Sequence, residues 1–414
     1  MIDQSTAGFK VLHINARLTE GGAATIALGL HLGLPQFNVS SEYVYAFGHQ
    51  AGKNPAESTI GHAWRLGRRP IVIANHSLQS LYGRDVLPPA PGPSRRLKTS
   101  ISNCDIVHLH VVHSHIAPFQ WLADLLIASG KPVVWTLHDR WLLTGRCAIT
   151  EGCQLWRKGC GACPTLRNYP PARLDLSFKT YQQRRATAHQ LLPQTTLVCP
   201  SNDLANDVRQ AYEDVRVEVI QNGLDKGFES AVAARTVIDM SKFCSPVNIL
   251  FTADDLSDAT KTDPEIVRHL ATLPDTTIHT VGRRSPFMGG NVVNHGYVSD
   301  RQAMVNLISS MDALIFTSSI DIFPLTVVES LACGTPVLAV PSSASKEVLG
   351  GIFARPANDV EELVDMVRTH DFSRTTSNLN RAELSVIGME HFSHRRMINR
   401  YKVVYQDTLA RVRS

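Results

Sequence analysis

Short apolar runs that suit β-strands alternate with helix-like segments along both halves of this 414-residue chain. Short continuous apolar runs are typical of parallel strands that are buried on both faces of a sheet. Regular alternation of such strands with helices predicts α/β domains built on parallel sheets. We therefore predict two doubly wound parallel-sheet domains that face each other across a cleft. The predicted strands are residues 10–14, 43–47, 105–109, 132–137, 196–199, 217–220, 247–252, 277–281, 312–316 and 336–340.

The length of the chain is sufficient for two separate hydrophobic cores, since domains commonly contain about 100–200 residues. A stretch of small, weakly periodic residues at 225–245 is the predicted linker. The domains are therefore expected at 1–235 and 236–390, followed by a C-terminal helix within 391–414. That helix is predicted from apolar residues at helical spacing, which are Ile398, Tyr401, Val404, Tyr405 and Leu409.

One strand–loop–helix–strand unit, residues 312–340, carries two acids that are candidates for ligand binding. Pro324 is predicted at the first helical position and Gly334 just beyond the helix end. Asp321 lies in the loop and Glu329 in the helix. Ligands of parallel sheets bind at the carboxyl ends of the strands, so a sugar and a ribose held one diphosphate apart would fit these two acids. The alternative is that Asp321 is a turn residue and Glu329 a solvated helix acid.

A second candidate ligand site follows the first strand. Gly21 and Gly22 precede a helix that is predicted to start near Ala23. Glycine lets backbone N–H groups approach an anion, and the helix dipole adds a favourable field. A simple turn before a helix is the alternative, and the absence of a GxGxxG pattern does not favour dinucleotide binding.

The bulk composition, with 43% hydrophobic and 19% charged residues, is ordinary for a soluble globular enzyme. The chain contains no run of about 18 apolar residues, so no transmembrane helix is predicted. The N-terminus lacks a basic region before an apolar stretch, so no signal peptide is predicted and a cytoplasmic location is expected. A net charge of +4 permits contact with an anionic membrane surface and does not demand nucleic acid.

Basic residues cluster in two loop-like places, for which a solvated face and a surface that approaches anionic lipid are the alternatives. The lipid reading predicts peripheral contact with the cytoplasmic face of the inner membrane. The two clusters are Arg65, Arg68 and Arg69, and Arg95, Arg96 and Lys98.

Four of the eight cysteines lie close together in the sequence, at Cys147, Cys153, Cys160 and Cys163. This density in a cytoplasmic chain argues against structural disulfides and favours a thiolate site, most simply a structural zinc. The spacing between the first two cysteines is wider than usual for zinc. Buried free thiols and redox chemistry are the alternatives.

The unit at 312–340 resembles the acid-x7-acid signature of retaining, GT-B-type nucleotide-sugar glycosyltransferases of family 4, with Asp321 where the first acid is usually Glu. Segments 17–24, 144–171 and 290–296 are similar to segments of a glycosyltransferase of colanic acid biosynthesis. The resemblance covers most of the chain and implies two Rossmann-like domains. The first would be the acceptor-side domain, with a cysteine-rich insertion at 144–171, and the second would bind the nucleotide-sugar donor. The C-terminal helix would cross back to the first domain.

The resemblance also assigns roles to residues of the first domain. His138, at the end of a strand and followed by Asp139, matches the histidine beside the transferred sugar, although a structural histidine is the alternative. The loop at Gly21 and Gly22 would pack against the donor diphosphate and the acceptor. The spacing of four further histidines could indicate a metal, but this alternative is not favoured, because no matching carboxylate cluster accompanies them. They are His108, His110, His113 and His115.

In the second domain, the resemblance implies a cationic clamp on the donor diphosphate. Lys261 occupies the lysine position and would stabilise the charge of the departing diphosphate. The usual arginine position falls on Asp254 or Asp255, so the missing cation is expected elsewhere. The candidate replacements are Arg283, Arg284 and Arg17. The glycines at which the base and diphosphate would approach the backbone are Gly282 and Gly296.

The sequence therefore predicts a retaining hexosyltransferase. It would move a sugar from a UDP- or GDP-activated donor to a lipid-linked oligosaccharide in exopolysaccharide biosynthesis, without a metal cofactor for catalysis. A nucleotide-sugar epimerase on the same fold and a non-catalytic nucleotide-sugar-binding subunit are the alternatives. The donor base, the sugar, the linkage, the acceptor and the oligomeric state stay open.

Overall fold

The computed structural model describes residues 8–48, 59–235, 246–350, 356–372, 376 and 379–413. The chain divides into two compact units, one of Met1–Ile220 with Ile398–Ser414 and the other of Gln221–Met397. Each unit contains one sheet in which all the neighbouring strands are parallel. The predicted fold class, two doubly wound parallel-sheet α/β domains, is confirmed.

The first unit is built on a seven-stranded sheet in the order β3-β2-β1-β4-β5-β6-β7. Its strands are β1 Lys10–Arg17, β2 Ser40–Phe47, β3 Ala63–Arg65, β4 Ile106–Leu109, β5 Val133–Thr136, β6 Thr195–Cys199 and β7 Arg216–Val219. The α-helices in its N-terminal segment, which ends at Ile220, are α1 Gly22–Gly33, α2 Arg69–Tyr82, α3 Pro91–Ser102, α4 Phe119–Ser129, α5 Ser177–Leu191 and α6 Asn202–Ala211.

The second unit is built on a five-stranded sheet in the order β10-β9-β8-β11-β12. Its strands are β8 Val247–Asp255, β9 Thr276–Arg283, β10 Val292–Asn294, β11 Ala313–Phe316 and β12 Val337–Ala339. Its helices are α7 Lys226–Ala234, α8 Pro264–Leu270, α9 Arg301–Ser309, α10 Leu325–Ala332, α11 Ser343–Leu349, α12 Val360–Thr369 and α13 Arg381–His391. The last helix, α14 His394–Arg413, begins in this unit, and its residues from Ile398 onward belong to the first.

Alternate residues of the central strands of the second sheet enter separate hydrophobic cores on its two faces. Leu250 and Leu314 pack with residues of α7, α9, α10 and α13. Their neighbours Ile249 and Ile315 pack with residues of α8 and α12. Side chains alternate between the faces of a strand, so a strand covered on both faces must be apolar throughout. This is why the apolar runs at 247–252 and 312–316 predicted these strands.

Buried hydrogen bonds attach the C-terminal part of α14 to the first sheet. The Tyr405 hydroxyl lies 2.7 Å from His108 Nδ1 on β4, and the Tyr401 hydroxyl lies 3.0 Å from Thr136 Oγ1 on β5. Both tyrosines are fully buried. The apolar spacing in the sequence located this helix. The polar pairs that hold it depend on residues more than 260 positions away along the chain.

Several expected boundaries differ from those in the structure. The compact units divide at Ile220 and Gln221 rather than near residue 235, because α7 packs with α9 in the core of the second unit. The predicted linker at 225–245 thus contains α7, and its remaining residues, 236–245, lie outside the described residues. Pro324 is the N-cap of α10 rather than its first residue, and α1 begins at Gly22 rather than Ala23.

None of the helices in the described part of the chain combines the length and the apolarity needed to cross a lipid bilayer.

Candidate active site

The carboxyl ends of β8 and β11 form an edge of the second sheet that suits ligand binding. These strands are neighbours in the sheet. The strand that follows β8 in the chain, β9, lies on one side of this pair, and the strand that follows β11, β12, lies on the other. Such a reversal of strand order opens a crevice beyond the strand ends, where doubly wound sheets bind ligands. The loops that leave the two strands contact each other there. Thr317 Oγ1 accepts a hydrogen bond from Asp263 N at 3.0 Å and donates one to Lys261 O at 3.2 Å.

At this edge, Lys261 and Asp321 form an ion pair with 2.6 Å between Nζ and Oδ1. Lys261 comes from the loop after β8 and Asp321 from the loop after β11, 60 positions apart in the sequence. Their side chains are 30% and 26% exposed, so both charged groups are accessible to a ligand. The structure therefore brings together the cation and the loop acid that the sequence singled out.

The second acid, Glu329, lies on α10 in a different electrostatic environment. Burial raises the pKa of Glu329 to about 7; nearby Arg301 lowers it, and Asp225 raises it further. Arg301 and Asp225 form an ion pair of 2.8 Å between Nη2 and Oδ2. Glu329 therefore changes charge near neutral pH, where it switches between a hydrogen-bond donor and a pure acceptor.

Neither of these two neighbours of Glu329 was predicted from the sequence. Asp225 is the N-cap of α7 and accepts a hydrogen bond from Phe228 N at 2.9 Å. Its acidic side chain before a helix is a recognisable capping signal. Arg301 is the first residue of α9, and no local pattern indicates that it lies near Glu329.

Asp254 and Asp255, at the position where an arginine was expected, are paired with cations at the end of the neighbouring strand. Arg283 Nη1 donates to Asp254 at 2.9 Å from Oδ1 and 3.2 Å from Oδ2. Arg284 forms an ion pair with Asp255. The Arg283 guanidinium also lies 4.2 Å from the centre of the Tyr297 ring. Two candidate replacement cations thus stand where β8 and β9 end.

Gly282 allows β9 to approach the end of β8 closely. Its φ is +150°, and a Cβ at this position would lie 2.0 Å from Ala253 O. The Gly282 N–H donates to Gly296 O at 2.9 Å, and Gly296 has φ of +67°. Both glycines therefore have a backbone reason to be glycine. Their expected approach to a base and a diphosphate stays a prediction.

In the first unit, Gly21 and Gly22 border an open pocket at the carboxyl end of β1. Gly21 has φ of +85° and caps α1 without a side-chain hydrogen bond. The first backbone N–H groups of a helix have no partner within the helix, so they are available to an anion. Arg17, another candidate cation, is bound to Glu20 at 2.8 Å. The pocket is lined by residues 15–17, 20–24, 111, 113, 114, 139 and 169.

His138 is the end of a buried chain of three imidazoles. His13 Nδ1 lies 3.1 Å from His110 Nε2, and His110 Nδ1 lies 3.2 Å from His138 Nε2. Burial lowers the pKa of His138 to about 4 and that of the other two rings well below the ordinary value. His138 is therefore neutral at pH 7, so it can exchange hydrogen bonds with a sugar and carries no fixed positive charge.

Asp139 is bound on both oxygens and lines the pocket beside Gly21. It accepts hydrogen bonds from His113 Nε2 at 2.9 Å and from Trp141 N at 2.8 Å. Burial by itself would raise the pKa of Asp139, but the charge and hydrogen bond of His113 outweigh it and hold the pKa below its usual range. Asp139 is therefore a fixed negative charge of the pocket wall.

Comparisons with known proteins agree with this geometry. The Glycosyltransferase Family 4 model matches residues 21–228, and the Glycosyl transferases group 1 model matches residues 261–370. The putative colanic acid biosynthesis glycosyl transferase WcaC of Escherichia coli (strain K12) is 32% identical over 409 residues, which cover 96% of this chain and 99% of that protein. The chain belongs to glycosyltransferase family 4.

Two further proteins are similar to this family 4 glycosyltransferase. The crystal structure of Anabaena Alr3699/HepE in complex with UDP-glucose has a TM-score of 0.61 at 14% identity, covering 96% of this chain and 100% of that one. A GDP-mannose-dependent phosphatidylinositol dimannoside mannosyltransferase of Mycobacterium tuberculosis (strain ATCC 25177 / H37Ra) is 36% identical over 75 residues, 18% of this chain and 20% of that protein. The predicted GT-B fold is confirmed.

The four clustered cysteines of this glycosyltransferase line one small cavity in the first unit, together with Arg146. All four are free thiols. Burial raises the pKa of Cys147, and it raises that of Cys160 to about 11. Metal binding by these four cysteines stays a prediction.

A second group of possible metal ligands joins His108 and His110, for which the sequence did not favour a metal, to His13, which no sequence pattern singled out. Within the described ranges, ligand atoms all within 4.8 Å of one another are found for His13, His108 and His110, and the four thiols do not reach that spacing. Both nitrogens of His108 already lie within hydrogen-bond distance of hydroxyls, those of Tyr405 and Thr136. The histidine group therefore fits a hydrogen-bonded core better than a metal site.

Proposed function

We propose that this chain is a retaining hexosyltransferase of exopolysaccharide biosynthesis. It would transfer a hexosyl group from a UDP- or GDP-sugar to a lipid-linked oligosaccharide acceptor, as in the making of a colanic-acid-like polymer. The observation that carries the proposal is the Lys261–Asp321 pair at the reversal of strand order in the second unit. The similarity to WcaC supports the polymer class, and the names of the other two relatives support the two donor classes.

In this proposal, the ion pair between Lys261 and Asp321 breaks when the donor binds, and each side chain then contacts the donor. Lys261 binds the diphosphate and stabilises the negative charge that develops on it as the sugar leaves. Asp321 is released to accept hydrogen bonds from sugar hydroxyls. An ion pair that is about one-third exposed contributes little to stability, so the exchange costs little.

Glu329 would bind the ribose, because its carboxylate can accept hydrogen bonds from two adjacent hydroxyls. Arg283 would supply the missing cation of the clamp from the end of β9. Its present partner, Asp254, is 71% exposed, and an exposed pair of this kind is worth about 0–1 kcal/mol. A diphosphate can therefore compete for Arg283. Gly282 and Gly296 would let the donor approach the backbone.

His138 would contribute a neutral imidazole to the sugar, and the N–H groups at Gly21 and Gly22 would face phosphate or acceptor oxygens. The acceptor hydroxyl would attack the anomeric carbon from the face that the diphosphate leaves. The C–O bond to the diphosphate breaks as the new glycosidic bond forms, and an oxygen of the diphosphate takes the hydroxyl proton. The configuration at the anomeric carbon is then retained without an enzyme nucleophile or a metal cofactor.

The acceptor proposal includes peripheral contact with the cytoplasmic face of the inner membrane. The two basic clusters approach each other in the first unit, since the Arg68 guanidinium lies beside Gly92 in the first turn of α3. Arg96 lies 4.3 Å over the ring of Trp64, next to Arg65. Each exposed cation near an anionic bilayer contributes about 1 kcal/mol. Binding to phosphatidylglycerol vesicles, absent with phosphatidylcholine vesicles, would support this contact.

The deciding experiment supplies purified chain with UDP-hexoses and GDP-hexoses, with and without a lipid extract that contains the acceptor. Release of UDP or GDP that depends on the acceptor, with an anomeric configuration unchanged in the product, would support the proposal. An altered sugar nucleotide formed without acceptor would indicate an epimerase. Binding without any turnover would indicate a non-catalytic subunit.

A matched pair of variants links that activity to the site. Asp321→Asn should lower the transfer rate roughly 10- to 150-fold, since losing a charged hydrogen-bond partner costs about 1.5–3 kcal/mol. Asp365→Asn removes the same charge from an exposed position on α12 and should leave the rate unchanged. Equal rates in the two variants would remove Asp321 from the site.

A further inference from the structure

The four cysteines that line one cavity come from a single loop of the first unit, between the short helix Trp141–Leu143 and α5. The backbone of this loop is strained around Cys160. Cys160 and Ala162 have φ of +60° and +45°, which is a strained conformation for residues with a Cβ. The Gly145 N–H points at Cys160 Sγ with 3.1 Å between N and S. Strain at non-glycine residues persists only where the surrounding structure requires it.

Two buried arginines surround the cysteine loop. Arg146, which is 3% exposed, lines the cavity, donates to backbone carbonyls and lies 3.7 Å from Cys163 Sγ. Its Nε is buried without a hydrogen-bond partner. Arg184, which is 4% exposed, donates to the carbonyls of Trp141 and Thr144.

Within the part of the chain that the structure describes, no carboxylate lies within ion-pair distance of Arg146 or Arg184. Asp175, whose pKa is lowered in part by the charge of Arg146, is exposed. Its Oδ2 accepts a hydrogen bond from Cys163 N at 2.7 Å. Backbone carbonyls bind both guanidinium groups, and that of Arg184 also lies 3.6 Å over the Trp141 ring. Burial lowers the pKa of Arg184, and the charge of Asp139, beyond ion-pair distance, opposes this only in part. A buried cation without a directly paired opposite charge is destabilising, so further negative charge nearby would stabilise both arginines.

We propose that Cys147, Cys153, Cys160 and Cys163 bind one zinc ion and that its tetrathiolate site balances the charges of Arg146 and Arg184. Four thiolates and one divalent ion carry a net charge of about −2, which equals in size the charge of the two guanidinium groups. Binding of the ion releases the thiol protons to solvent. A tetrahedral set of four thiolates is typical of zinc, and binding the ion would draw the sulfur atoms closer together than they lie in this structure.

The zinc site would be structural, because four protein ligands leave no open position for a substrate. It would hold the loop that forms one wall of the pocket beside Gly21. Ala148, next to Cys147, donates its N–H to Tyr169 O at 3.1 Å, and Tyr169 lines that pocket. Loss of the metal is therefore expected to loosen the pocket wall as well as to destabilise the first unit.

The first test is elemental analysis of the full chain purified without added metal. About one zinc per chain is expected for a filled tetrathiolate site. The Cys160→Ser, Cys163→Ser double variant should lose the metal, whereas Cys104→Ser, which changes a buried thiol outside the cavity, should keep it. Less than about 0.2 zinc per wild-type chain would overturn the proposal, as would about one iron per chain.

A second measurement needs no variant that might fail to fold. A mercurial reagent titrated into native wild-type protein with a zinc-sensitive dye should release one zinc as the cluster thiols react. Release before these thiols react, or their reaction without release, would overturn the site. For the charge argument, Arg146→Leu should lose zinc to a chelator faster than Lys158→Leu, a change at an exposed cation of the same loop. Equal rates would overturn the charge balance.

Discussion

Glu329 makes the proposed ribose contact sensitive to pH. With a pKa of about 7, it is only about 9% ionised at pH 6 and about 91% ionised at pH 8. If only the carboxylate accepts the ribose hydroxyls, the apparent dissociation constant varies inversely with the ionised fraction. We therefore expect this residue alone to make nucleotide binding about tenfold tighter at pH 8 than at pH 6.

Isothermal titration with UDP and with GDP at these two pH values provides the assay. Phosphate groups also ionise near pH 6, so the comparison must be with Glu329→Gln, in which that contribution is the same. The ratio of affinities at the two pH values should be about tenfold larger for the wild type than for Glu329→Gln. Glu361→Gln, a change at an exposed acid in the first turn of α12, should behave as the wild type. The same pH dependence in the wild type and Glu329→Gln would refute the reasoning.

The same group gives a prediction for stability. Because the pKa of Glu329 is raised from 4.5 to about 7, the folded state binds an extra proton between these values. Its contribution to stability is therefore present below pH 4.5 and is lost as the pH rises through 7, by at most about 3 kcal/mol. Glu329→Gln should raise the thermal midpoint of the second unit more at pH 8 than at pH 5. An equal rise at both pH values would show that Glu329 does not titrate in this range.

Three further substitutions test separate parts of the proposal. Lys261→Ala should reduce the transfer rate more than nucleotide affinity, because its charge matters most as the diphosphate departs; an unchanged rate would assign the clamp to other cations. His138→Ala should lower the rate with nucleotide affinity intact, and a wild-type rate would make His138 a structural residue. Gly282→Ala should destabilise the second unit by more than about 1 kcal/mol, as a Cβ would lie 2.0 Å from Ala253 O. A Cβ at Gly290 would have open space around it, so Gly290→Ala should not destabilise the unit. Equal thermal midpoints for the two variants would contradict this explanation.

Each predicted strand overlaps a strand of the structure, whereas two short edge strands were missed. Edge strands β3 Ala63–Arg65 and β10 Val292–Asn294 each have only three residues. β12 Val337–Ala339 is equally short but lies within the apolar run 336–340 that predicted it, whereas β3 and β10 lie in no such run. At the start of α9, Ser299 and Asp300 are adjacent candidate caps, and it is Asp300 that accepts the hydrogen bond from Ala303 N. Both residue types cap helices well, so composition alone did not distinguish them.

The sequence by itself determined the two parallel-sheet domains and the loops that carry Asp321 and Lys261. Apolar periodicity and helix-end signals are local, and parallel strands place such loops at one edge of a sheet. Only the tertiary structure decided which charges meet. It paired Lys261 with Asp321, placed Arg301 near Glu329, and buried Arg146 beside four cysteines. These contacts depend on how distant segments pack, and burial, which sets the pKa of each group, exists only after packing.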